Sequence, residues 1–345
     1  MKKEVYPAVD IAKFVMAILV VAIHVRPFEG TVGFIYNDVI ARIADPLFFA
    51  LSSFFLFQKA FAEKETLSWK TLGQYMLRIG GLYGAWVLIY SPVIVHRARY
   101  VTGGGVRCIL YILRSIFLSG PYGALWFLTA LLLAMPLTYL IAKMLHPAAA
   151  PLLALPFFVF LVLELGYTRL VGDIPVLERM TETVQNIFIW LWNGLTFGFF
   201  FCALGMWAAY RRRQGKREEG TVGLLICIAG LFAEAFLIRT CSLGTDYAAM
   251  FFLIPLTWFL LQWLLNIQCK ERKIYVILRK SGILIFTIHY GLMEVFQAIF
   301  SKFAWYIKNT TVQYVFVLGG TLLCAAAILY LSRHVKQCSW MKILY

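Results

Sequence analysis

Residues 9–25 read VDIAKFVMAILVVAIHV, an almost unbroken apolar run with one aspartate, one lysine and one histidine set into it. A helix needs roughly 20 such residues to cross the hydrocarbon of a bilayer. No small-residue cleavage site follows, so the run, extended to 28, reads as a first membrane helix rather than a removable leader. Comparable stretches follow near 36–58, 72–95, 123–144, 150–170, 186–210, 221–240, 246–266, 282–301 and 310–332. The pattern predicts an all-α, polytopic integral membrane protein with about ten transmembrane helices.

Composition agrees. Of the 345 residues, 61% are hydrophobic and 14% charged, and the mean hydropathy is +0.78. A soluble domain is nearer half apolar and a quarter charged, so lipid is the solvent this chain is built for. The net charge of +15 would suggest nucleic acid in a soluble protein. Here topology accounts for it, and no nucleic-acid partner is expected. With the N-terminus in the cytoplasm, about 21 of the 32 basic residues fall on the cytoplasmic side. They include Lys59, Lys64, Lys70, Arg211 to Arg213, Lys216, Arg217, Arg279 and Lys280. Both termini are therefore expected in the cytoplasm. Residues 1–345 read as a single membrane domain without an internal repeat. The seven cysteines show no CxxC pair or metal-like spacing, and no metal is expected. Segment 106–119 carries Arg107 and Arg114 about two turns apart among apolar residues, which predicts a short amphipathic helix at the interface. Most aromatic residues are expected at span ends and lipid faces.

Ionisable side chains inside hydrocarbon are costly, and so are candidates for function. The first span has Asp10 and Lys13 at its cytoplasmic end and His24 three-quarters of the way across. The second has Arg42 and Asp45 near its outer end, and Pro46 after Asp45 predicts a kink or local unwinding there. At 1.5 Å per residue, His24 and Arg42 each lie roughly 6–9 Å inside the outer boundary on consecutive antiparallel helices. A histidine beside an arginine can act as a base while the cation stabilises developing negative charge. Glu164 and Glu234 reach a similar depth, with an ion-pair network holding helices together as the plainer alternative. The ninth span carries His289 and Glu294 near mid-membrane, His289 being either a second site residue or a structural histidine.

Lys13, ten intervening residues and His24, followed by Arg42, Pro46, Phe49 and Ser52, resemble the opening motifs of the acyltransferase-3 family of membrane acyltransferases. Segments 75–86 with Arg78, 123–132, 193–205 and 278–290, ending in Ile288-His289, resemble its later motifs in the same order. Three positions depart from the pattern. Ser53 stands where glycine is usual, and Tyr75 and Trp192 stand where arginine is usual. The wording is closest to surface-polysaccharide O-acyltransferases and to the membrane module of vancomycin-resistance serine racemases. The latter carry a soluble racemase domain after the spans; the present sequence ends at Tyr345 without one, so racemisation is not expected of it.

The resemblance implies a multi-pass enzyme of the cell membrane. It would take an acyl group, usually acetyl, from cytoplasmic acyl-CoA and pass it to a hydroxyl of an extracytoplasmic acceptor such as a cell-envelope glycan. Besides lipids, its partners would be acyl-CoA and that acceptor. His24 and Arg42 are the catalytic candidates, and Lys13, Lys70 and Arg78 the candidates for the phosphates of coenzyme A. Asp45, Ser52, Glu164, Glu234 and His289 are possible additional site residues. The alternative is a transporter of a small solute such as an amino acid, serine among them, which would also use buried charges and broken helices.

Overall fold

The computed structural model describes residues 6–63, 67–216 and 220–345; Lys64 and Arg217, counted above for topology, lie outside the described residues. Each of the ten apolar stretches coincides with a helix. In chain order these are α1 (Pro7–Val25), α2 (Gly30–Ala62), α3 (Trp69–Thr102), the short α4 (Gly105–Arg114), α5 (Gly123–Met144), α6 (Ala149–Gly166), α7 (Pro175–Ile187), α8 (Phe199–Arg213), α9 (Thr221–Thr240), α10 (Leu253–Asn266), α11 (Lys273–Phe300) and α12 (Thr310–His334). Eight of them are long and apolar enough to cross a membrane, and no strand occurs among the described residues. Because hydrocarbon offers backbone groups no partner, a chain this apolar has to satisfy them within helices.

The chain partitions into two compact units, Met1–Asp45 with Trp263–Tyr345, and Pro46–Gln262. In the first, α1 packs along α11, and α12 packs on both. Lipid supplies no hydrophobic drive between helices, so close approach of small residues does the work. Ala8, Ala12, Ala17 and Ala22 of α1 are all buried, and a Cβ on Gly282 of α11 would press on the Lys13 carbonyl at 3.3 Å. Asp10 and Arg279 pair at 3.5 Å near the N-terminal end of α1 along the same seam.

In the second unit α5, α6 and α8 pack together around rings set closely, Phe49 and Phe127 at 4.3 Å and Phe158 and Phe201 at 4.9 Å between centroids. A buried aromatic cluster thus stands beside the aromatics expected at span ends and lipid faces. Phe49, Phe54, Phe57, Phe158 and Phe201 are wholly buried, because a uniformly apolar helix does not show in its sequence which face meets protein. Gly205 lies so near Ala50 that a Cβ would run into the Ala50 carbonyl. Ser53, in place of the usual glycine, is fully buried and donates to the Cys202 carbonyl at 2.5 Å. Its hydroxyl thus has a partner in a setting that punishes unmet polar groups.

The starts of two later spans shift. The sixth span starts at Gly194 rather than 186, with a π-helical turn Gly194–Gly198 capped by Asn193, whose side chain accepts from Leu195 and Thr196. The eighth starts at Leu253 rather than 246. The expected amphipathic helix is present as α4, and Arg114 at its end donates to the carbonyls of Gln185 and Ile187.

Candidate functional site

In the first unit, α1 stops earlier than its apolar pattern implies. Arg26 takes a left-handed backbone, φ 54°, and its N–H closes the helix on Ala22. His24 therefore sits in the last turn, nearer the helix end than expected. A left-handed backbone is uncommon for a residue with a Cβ. Here the Arg26 guanidinium is held by both oxygens of Asp38, at 2.9 and 2.6 Å. A bidentate, charge-assisted pair of this kind is among the stronger polar contacts available.

Asp38 belongs to an irregular stretch of α2. Phe34–Ile40 is π-helical and Ala41–Ile43 is 3₁₀, with regular α-helix resuming at Ala44. The predicted break at Asp45-Pro46 is thus displaced toward the N-terminus. Pro46 falls in the first turn of the regular helix, where its missing N–H costs nothing, and the distortion lies just before it. Asp38, buried, also faces Arg42 at 3.6 Å one turn on, and Asp45 is within electrostatic reach of Arg42 on the other side. Arg42 stands between two carboxylates, one of them shared with Arg26.

His24 comes within electrostatic reach of Arg42, as the depth argument predicted. Its ring lies 5.2 Å from that of His289 and 5.3 Å, edge-on, from that of Tyr290, both on α11. Among the described residues His24 makes no side-chain hydrogen bond. One unit thus gathers an uncommitted imidazole, a guanidinium steadied by carboxylates and a second imidazole. Such a group can move a proton and hold negative charge. Lys13 is half-buried on the same helix, about 16 Å along the axis from His24, with Asp10 near it. Sequence reading missed Arg26, Asp38 and Tyr290. The spacing of Asp38 four residues before Arg42, a helical pairing distance, was the signal available.

The other candidates belong to the second unit. The Tyr75 hydroxyl lies against Ser52 and near Arg78, one turn further along α3, so Ser52 and Arg78 are grouped by the residue that replaces the usual arginine. Arg78 and Lys70 are exposed. Trp192 stacks on Trp190 at 5.6 Å. Glu234, buried in α9, accepts from the Tyr167 hydroxyl at 2.9 Å and from the N–H groups of Phe251 and Phe252 at 2.7 and 2.8 Å. Burial first, and then the adjacent Glu234 carboxylate, push the Tyr167 phenol up from its ordinary pKa, which keeps it a donor. Glu234 closes the chain before α10 instead of joining the expected ion-pair network. Glu164 is half-buried and makes no side-chain hydrogen bond or ion pair among the described residues.

A set of apolar helices with a histidine at the end of the first span and an Arg-xxx-Pro segment in the second is the arrangement the sequence motifs pointed to. A family model described as an acyltransferase domain matches residues 6–330, and the chain belongs to that family, acyltransferase-3. Among curated proteins it is similar to an amino-acid racemase of Enterococcus faecalis, 25% identical over 275 residues, covering 79% of this chain and 37% of the relative. A second amino-acid racemase of that organism is 23% identical over 346 residues, covering 95% of this chain and 46% of the relative. The chain thus spans less than half the length of either relative. No solved structure matches it.

Proposed function

We propose that this protein is a multi-pass O-acyltransferase of the cell membrane. It carries an acyl group, acetyl in the simplest case, from cytoplasmic acyl-CoA to a hydroxyl of an extracytoplasmic acceptor such as a cell-envelope glycan. The observation that carries the reading is His24, free of side-chain hydrogen bonds, within reach of Arg42 at the outer end of α1. In the reaction His24 takes the acceptor's hydroxyl proton as that oxygen attacks the thioester carbonyl. Arg42 stabilises the negative charge that gathers on the carbonyl oxygen. The C–S bond breaks, the acyl group stays on the acceptor oxygen, and the His24 proton passes to the departing thiolate to give free coenzyme A. Lys13, on the same helix as His24, supplies a cation for the phosphates. The rise of about 16 Å from Lys13 to His24 is of the order a pantetheine arm spans.

Transfer from radiolabelled acetyl-CoA by protein in lipid nanodiscs tests this reading. His24→Ala is expected to lower transfer by about 10³-fold with the protein still folded. Wild-type rates in that variant would sink the assignment. A second reading is passage of an amino acid such as serine across the bilayer; amino acids are the compounds named for the two relatives, both amino-acid racemases. Serine uptake into proteoliposomes without any acyl transfer would support it instead.

A further inference from the structure

His289 is wholly buried in α11. Its Nδ1 lies 3.0 Å from the carbonyl oxygen of Ile285, one turn back. A carbonyl only accepts, so Nδ1 carries the hydrogen, and in the neutral ring Nε2 is then a bare lone pair. That Nε2 is buried and has no hydrogen-bond partner, a condition folded proteins rarely tolerate without a use. The bond to Ile285 stays inside one helix, so a purely structural role explains Nδ1 and leaves Nε2 unaccounted for.

The ring centroid of His24 is 5.2 Å from that of His289, with the planes inclined by 35°. At that separation facing nitrogens approach to roughly 3 Å, hydrogen-bond distance. His24 has no competing side-chain bond to break in turning toward it.

We propose that His289 is a positioning residue that fixes the tautomer of His24 by accepting a hydrogen bond from it at Nε2. The order then runs from the Ile285 carbonyl to His289 Nδ1–H, and from His289 Nε2 to an N–H of His24. The other His24 nitrogen is left unprotonated toward the substrate, as the acyltransferase reading on which this inference rests requires. When His24 takes the acceptor's proton, its opposite N–H proton moves to His289 Nε2. The positive charge settles one ring away from the Arg42 guanidinium, with Nδ1–H still bonded to Ile285. The relay runs back as the thiolate leaves and is protonated, so no proton is gained or lost. A second residue elsewhere holding a histidine's far nitrogen is a general device for choosing which nitrogen does the work. Here the holder is a neutral imidazole rather than a carboxylate.

Two substitutions separate this role from a structural one. His289→Asn keeps a donor for the Ile285 carbonyl but removes the acceptor at the Nε2 position. His289→Gln places an acceptor oxygen near that position and gives up the Ile285 bond. In nanodiscs, His289→Gln is expected to keep kcat within about tenfold of wild type, and His289→Asn to lose about 10²-fold or more with the donor KM unchanged. The reverse order would overturn the proposal. Nitrogen-15 spectra of histidine-labelled protein give a readout independent of turnover, with only five histidines in the chain. His24 should show one tautomer in wild type and a mixture in His289→Asn. An unchanged His24 tautomer in that variant overturns the relay. Absence of transfer by wild type would instead fail the acyltransferase reading while leaving this spectrum to decide the pairing.

Discussion

In the first unit the buried imidazole of His289 spends one nitrogen on Ile285 and leaves the other bare. In the second, the buried carboxylate of Glu234 is met three times, by the Tyr167 hydroxyl and the N–H groups of Phe251 and Phe252. Both groups lie in apolar surroundings where an unmet polar atom is expensive. The difference lies in what each is free to do. A carboxylate with all its bonds made holds the chain in place, and moving a proton to it would cost those bonds. An imidazole with a lone pair to spare has nothing to lose by accepting one. Buried polarity alone does not mark a site in a membrane protein; incomplete satisfaction does.

Substitutions in the two units should therefore act on different quantities. Arg42→Gln is expected to reduce acyl transfer by about 10²- to 10³-fold, since it removes a preorganised cation from the reacting end while Asp38 keeps its pair with Arg26. Transfer assays normalised to folded protein measure it, and a loss below threefold would remove Arg42 from the chemistry. Glu234→Leu should leave transfer per folded molecule unchanged but destabilise the protein by about 1–3 kcal/mol, through the two N–H groups it strands. A thermal-unfolding shift with intact kinetics would bear out the contrast, and an activity loss at unchanged stability would break it. The smallest effect is expected at Ser53→Ala, about 1 kcal/mol from one buried hydrogen bond, again read from unfolding and with no kinetic signature.

The ten apolar stretches were legible because hydrocarbon imposes one rule on every residue that enters it, so length and polarity alone mark the helices. Lys13, His24 and Arg42 were legible for the converse reason, as ionisable groups in the wrong solvent. What escaped depended on partners distant in sequence. The end of α1 at Val25 goes with a left-handed Arg26 whose guanidinium is held by Asp38, twelve residues on. The late start of α10 goes with Glu234, which gathers the N–H groups of Phe251 and Phe252. The phenylalanine core was hidden because helices apolar all round give no periodic signal for the face that meets protein. The distortion before Pro46 was misplaced because proline marks where regular helix can begin as well as where it must end.

The π-helical stretch Phe34–Ile40 has an evolutionary consequence. Such a turn is an α-helix with a residue too many, so losing any one residue from it would restore ordinary winding without shortening a loop or exposing a backbone group. A loss at Val39 or Ile40 would turn Asp38 by about 100° relative to Arg42, and the linkage from Arg26 through Asp38 to Arg42 would come undone. Lineages that keep the helices but lose this charged linkage would have a one-codon route through this stretch.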